Sequence, residues 1–102
     1  MKTLDIKRRA LRDIEDARAY YRTEASHMVA EFAGQIDTAL LMLQRQPKAG
    51  SPRWGLATKM AGLRTWPLSQ FPYMILYFER SKQLDIVRVL HQASDIPQHL
   101  KK

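Results

Sequence analysis

An α+β fold of order β-α-α-β-β-β, with a helical hairpin packed on a small, mainly antiparallel sheet, is predicted by three features of the sequence. Two consecutive stretches in the first half carry apolar residues at three- and four-residue intervals. Three β-rich stretches separated by turn formers fill the second half, and a short alternation precedes them all. The chain has 102 residues, 45% of them hydrophobic and 26% charged, which suits one core, so residues 1–102 are read as a single domain.

The alternation Thr3-Leu4-Asp5-Ile6-Lys7 puts Leu4 and Ile6 on one side, as in a brief half-buried strand. From Arg8 the period lengthens. Ala10, Leu11, Ile14, Ala17 and Tyr21 form one stripe, with Arg12, Asp13, Glu15, Asp16 and Arg22 on the other side, the pattern of an amphipathic helix. Arg9/Asp13 and Arg12/Asp16 sit one helical turn apart and are expected to pair.

Ser26 is placed to cap a second helix, whose apolar positions are Val29, Phe32, Ile36, Leu40 and Leu43, and which should end before Pro47. Gly34 within it costs about 1 kcal/mol relative to alanine, and a close approach of the first helix is the expected reason for it. The short link from Thr23 to Ser26 makes the two helices an antiparallel hairpin.

Lys48-Ala49-Gly50-Ser51-Pro52-Arg53-Trp54-Gly55 is rich in turn formers and, with Leu56 to Ala61, reads as an irregular connector. Leu63-Arg64-Thr65-Trp66 then fits a strand closed by Pro67. Tyr73 to Phe78 and Leu84 to His91 follow, separated by the turn Glu79-Arg80-Ser81-Lys82, and the three strands should form an antiparallel meander. The tail from Ser94 can make one helical turn carrying Ile96 and Leu100.

The central strand is apolar on both faces, with Tyr73, Ile75 and Tyr77 alternating with Met74, Leu76 and Phe78. The helical hairpin covers one face, and only the short tail is left for the other. Strand alternation assigns Arg64 and Trp66 to one face and Ile86, Arg88 and Leu90 to one face. The second face is therefore read as a binding groove mixing large apolar groups with arginines; closure by the tail or by a second copy is the alternative.

Several function classes are excluded. There is no cysteine, hence no disulfide framework, thiolate nucleophile or cysteine zinc site. The longest apolar run, Tyr73 to Phe78, is far short of the roughly 18 residues of a membrane-spanning helix. The N-terminus holds no apolar block of signal-peptide length, so a cytoplasmic protein with no membrane partner is expected. His27, His91 and His99 share no helix-face spacing, and no glycine-rich phosphate loop, metalloprotease motif or nucleophile elbow occurs. No metal or other cofactor is expected.

The formal charge of +7 remains. It suits an anionic partner, nucleic acid or an acidic protein segment, although solubility alone is another source of such an excess. Trp54 and Trp66 could stack on bases but are read first as core or interface anchors.

The order of elements and several local strings resemble the RelE/ParE toxin superfamily over nearly the whole chain. They are Ala10-Leu11-Arg12-Asp13-Ile14-Glu15-Asp16 with Tyr20-Tyr21, Gln46-Pro47 before Gly50-Ser51-Pro52, and Gly62-Leu63-Arg64. Phe71-Pro72-Tyr73-Met74-Ile75-Leu76-Tyr77 and Ile86-Val87-Arg88-Val89-Leu90-His91 complete them, and the Phe-Pro-Tyr and Arg-Val-Leu-His strings look like the ParE branch.

The resemblance implies the toxin of a type II toxin–antitoxin pair, of the branch whose members poison DNA gyrase by binding. It also implies a ParD-like antitoxin whose C-terminal segment wraps the toxin; part of that contact is expected at the groove of Arg64, Trp66, Met74, Leu76, Phe78, Arg88 and Leu90, which an acidic amphipathic segment would suit. No sequence-specific DNA contact by the toxin is expected. The RelE branch, which cleaves mRNA on the ribosome, carries an arginine where this chain has Met74, another where it has Gln92, and a tyrosine near the C-terminus that is missing around Ile96 to Pro97. A non-enzymatic toxin is therefore expected. The alternatives are a ribosome-dependent ribonuclease centred on Arg64, Arg88 and His91, and a homologue that binds antitoxin without being toxic.

Overall fold

The computed structural model describes residues 1–94 and 96–100. Strand β1 (Thr3–Ile6) leads into α1 (Arg8–Glu24), a single 3₁₀ turn (Ser26–Met28) and α2 (Val29–Arg45). Then come α3 (Arg53–Thr58), β2 (Leu63–Pro67), β3 (Tyr73–Glu79), β4 (Gln83–His91) and α4 (Ile96–Leu100). The strand order is β1-β4-β3-β2: the last three strands form the expected antiparallel meander, and β1 joins it parallel to β4.

Local chemistry explains most boundaries. Pro47 disfavours helical backbone in the residue before it, and α2 stops at Arg45, with Gln46 at φ −131°, ψ 73°. Ser26 does not cap α2 as expected; it lies inside the 3₁₀ turn, and Met28, the residue before the helix, offers no side-chain cap. The reading of 48–61 as wholly irregular needs correction too, since it contains α3. The Ser51 hydroxyl accepts the Arg53 N–H at 3.2 Å, and Pro52 precedes the first turn, where its fixed φ suits a helix start. Lys59, in left-handed backbone at φ 59°, ends the helix, and Gly62 at φ 86° turns the chain into β2.

Between the hairpin and the sheet lies the larger core. Ala10 and Ala17 of α1 and Phe32, Ile36, Leu40 and Leu43 of α2 pack on Ile75, Tyr77, Leu84, Ile86 and Val89. Tyr21, Phe32, Phe71 and Tyr73 close its end as an aromatic cluster with ring centroids 5.3–6.4 Å apart. Gly34 has no atom within 4 Å of where a Cβ would stand, so the expected close approach of α1 is absent. The close approach belongs to Gly50, where a Cβ would lie 2.5 Å from the Tyr77 hydroxyl.

On the opposite face Leu63, Leu76 and Leu90 are buried with Ile96 of α4, and Trp54 and Met60, from and just after α3, pack against them. α3 and α4 therefore roof the part of this face expected to be an open groove. The side chain of Leu100, expected to help, lies outside the described residues.

Candidate interaction surface

The seven residues expected to form one groove do not share a surface. Arg64 pairs opposite Tyr77 and Trp66 opposite Ile75, so both belong to the hairpin face. The register of β2 on β3 is offset by one residue from that needed to align them with Met74, Leu76 and Phe78, and a one-residue offset changes the face of every side chain. A bulge in β4 opposite Leu76/Tyr77 has the same effect further along. Ile86 packs in the hairpin core, Val87 in the second-face cluster, Val89 again in the hairpin core and Leu90 again opposite it, so Ile86 and Leu90 lie on different faces.

Each expected basic group is held by the fold. Arg64 Nη1 donates to the carbonyls of Gly50 at 2.7 Å and Lys48 at 3.2 Å. Beside it the Tyr77 hydroxyl donates to Pro47 O at 2.7 Å and accepts the Gly50 N–H at 2.9 Å. Together they fasten the segment after α2 to the sheet. Burial pushes the Tyr77 phenol pKa up, against the opposing influence of the Gly50 N–H and Arg64. Trp66 lines a cavity of about 270 Å³ against Gln35, Thr38 and Met42 of α2.

Arg88 is buried, donating to Asp13 through Nε at 2.7 Å and Nη2 at 3.1 Å, and to the His99 carbonyl at 3.2 Å. Asp13 Oδ2 also accepts the Val89 N–H at 3.0 Å, taking over the edge of β4 where β1 has ended. The expected helical pairs Arg9/Asp13 and Arg12/Asp16 are therefore not what Asp13 serves. His91 is exposed at the end of β4, its Nδ1 accepting the Ala93 N–H at 3.0 Å and its ring edge-on to Tyr73. In the neutral imidazole the proton then sits on Nε2.

Arg64 and His91 pair with Tyr77 and Tyr73, four residues apart on β3, from opposite flanking strands. Their Cα atoms are thus separated by on the order of 15 Å at ordinary strand spacings. Arg64, Arg88 and His91 do not converge on one point.

What stays accessible on the second face is the half-buried set Phe78, Val87, Met74, Trp54 and Met60; Leu56 of α3, exposed to 79%, packs in neither core cluster. Arg80 lies 4.8 Å over the Phe78 ring while its Nε donates to Asp85 at 2.9 Å, and Arg53 lies 5.7 Å over Trp54. Met74 and Phe78 are legible as members of such a surface and Trp54 as a core or interface anchor; Met60 and Leu56 are not. Their signal is the Ser51-Pro52 helix start followed by three large apolar residues within the next eight positions.

Among the described residues no cluster of three or more His, Asp or Glu side chains is arranged to hold a metal ion, and no helix is long and apolar enough to cross a membrane.

The model of the ParE toxin family, from type II toxin–antitoxin (parDE) systems, matches residues 4–96. The chain belongs to that family. A chain of the chromosomal ParDE TA system from P. aeruginosa has the same fold, with a TM-score of 0.72 at 21% identity over 89% of this chain and 96% of that one. No curated protein sequence matches this chain. In this ParE-family chain, then, the α+β architecture is the family's, and its place is that of the toxin in a type II toxin–antitoxin system.

Proposed function

We propose that this ParE-family chain poisons DNA gyrase by binding, catalyses no reaction, works in the cytoplasm and is neutralised by a ParD-like antitoxin. The observation that carries the non-enzymatic reading is the dispersal of Arg64, Arg88 and His91. Phosphodiester cleavage needs an acid, a base and charge stabilisation within reach of one phosphate. Here Arg88 is spent on Asp13, Arg64 on the Gly50 and Lys48 carbonyls, and His91 stands far from Arg64. The choice of gyrase as target comes from the resemblance to the ParE branch.

The antitoxin's seat is the second-face surface of Phe78, Val87, Trp54 and Met60, with the neighbouring exposed Leu56 of α3, and with Arg80 over the Phe78 ring and Arg53 over Trp54. An acidic amphipathic segment fits it: apolar side chains cover the rings and leucine, and carboxylates meet the guanidinium groups. Controlled expression in cells tests the function. Filamentation with DNA-damage signalling is the expected response. Arrested translation with mRNA cut at ribosomes, lost on substitution of His91 by alanine, would contradict it.

A further inference from the structure

Arg8, Arg9 and Arg12 open α1 and line an exposed concavity of about 420 Å³. No ion pair or side-chain hydrogen bond among the described residues involves them: Asp13 is turned to Arg88 and Val89, and Glu15 to Arg18 and Arg22. Nor does Lys7 share their situation, since its ammonium meets Asp5 at 2.7 Å. The first turn of a helix carries the positive end of the macrodipole and favours acidic residues, yet α1 has none there. Three guanidinium groups crowded at that end repel one another and the helix terminus, and an anion docked among them relieves both repulsions.

The chemistry of the concavity narrows the partner. Among the described residues its lining is Arg8, Arg9 and Arg12, so the charged groups these residues offer a partner are guanidinium groups. Guanidinium forks match phosphate oxygens in bidentate pairs. Arg8 and Arg12, one turn apart, are separated by a rise of about 6 Å along the helix, which lets them engage successive charges of a regular polyanion.

We propose that Arg8, Arg9 and Arg12 form a contact surface for the phosphate backbone of duplex DNA, gripped without reading its sequence. The phosphate chemistry follows from the arginines themselves. The choice of DNA over RNA rests on the gyrase reading, because a protein bound to gyrase works beside the duplex that the enzyme holds.

Binding of the intact chain to a short labelled duplex, without gyrase, followed by fluorescence anisotropy between 50 and 200 mM salt, tests this. The Arg8→Gln/Arg9→Gln/Arg12→Gln variant should lower the log–log salt slope by about 2 to 3 and weaken binding at 50 mM more than tenfold, at about 0.9 per phosphate contact. Its fold should persist, with unchanged circular dichroism, because cations are removed from a helix N-terminus. The Arg8→Lys/Arg9→Lys/Arg12→Lys variant should retain the slope. Arg45→Gln/Lys59→Gln/Lys82→Gln, which removes the same formal charge at exposed positions elsewhere, should change the slope by less than 1. Equal losses in both glutamine variants, or no duplex binding by the unaltered chain at 50 mM, overturns the proposal. So does tighter arginine-dependent binding of single-stranded RNA, or arginine dependence confined to poly-glutamate. Gyrase activity is not a readout here, so a failure leaves the gyrase reading standing, and failure of that reading leaves the duplex contact measurable.

Discussion

Asp13 and Arg88, 75 residues apart in the chain, meet through hydrogen bonds of 2.7 and 3.1 Å with only 8% and 11% of their side chains exposed. The pair joins the middle of α1 to β4, and the same carboxylate caps the Val89 N–H. Substituting Asp13 by alanine leaves a buried guanidinium without its carboxylate and a strand N–H without its acceptor. A loss of about 3 kcal/mol is expected from breaking a buried pair on one side, read from urea unfolding. Asp13→Asn, which keeps an acceptor, should cost less, and Asp13→Leu/Arg88→Met less than the sum of the two single changes. A cost for Asp13→Ala below about 0.5 kcal/mol, the range of an ordinary surface change, would show that the pair does not hold the two elements together.

Two glycines should respond to alanine with opposite signs. At Gly50 the new methyl meets the hydroxyl of Tyr77, which is wholly buried and hydrogen-bonded to Pro47 and so has nowhere to go. Overpacking of this kind costs about 2 kcal/mol. At Gly34 the methyl meets nothing, on the exposed side of a 17-residue helix, and alanine should stabilise by about 0.5 to 1 kcal/mol. Thermal denaturation of the two variants should move Tm down and up respectively.

Stability should fall at both ends of the pH scale. Arg80, and after it Gln83, hold the Asp85 carboxyl below its ordinary pKa, and the Lys48 ammonium does the same for Glu79. The unfolded chain takes up these protons near pH 4 while the folded chain still excludes them. The contribution is therefore complete above the unfolded pKa and lost as pH falls through the folded one. Burial raises the phenols of Tyr77, Tyr73 and Tyr21, so their contribution is complete below about pH 10 and lost as pH rises through the folded pKa. Urea midpoints measured from pH 2 to 11 should show both slopes. Asp85→Asn should flatten the acid limb and Tyr77→Phe the alkaline one.

The proposed antitoxin seat is separable from stability. Leu56→Glu alters a side chain 79% exposed and should leave unfolding within about 0.5 kcal/mol of the parent. It should nevertheless weaken an acidic antitoxin C-terminal peptide at least tenfold in calorimetric titration. Leu41→Glu on α2, also exposed, should not. Equal affinities for all three proteins would move the seat elsewhere.

Element types were largely legible because the hairpin and the meander announce themselves through different periods. Val29, Phe32, Ile36, Leu40 and Leu43 line one helical stripe, and the core confirms four of them as buried. Cross-strand register was not legible. Nothing in Leu63-Arg64-Thr65-Trp66 says whether Arg64 stands opposite Tyr77 or its neighbour, and the bulge beside Val87 inverts the faces of everything after it. Strand alternation without these two facts puts Arg64 and Trp66 on the wrong face and leaves Leu76 and Leu90 open, whereas α3 and α4 bury both leucines. Asp13 was hidden for a related reason: its partner is 75 residues away, while Arg9 lies one turn away and offers the local pairing that sequence spacing favours.

The most direct test of gyrase poisoning without catalysis is purified protein titrated into gyrase supercoiling and DNA-cleavage assays, with a ribosome-programmed mRNA cleavage assay run from the same preparation. Inhibited supercoiling with accumulated cleaved DNA and intact mRNA is the expected result. Cut mRNA with unaffected gyrase would contradict it and make Arg64, Arg88 and His91 the residues to substitute next.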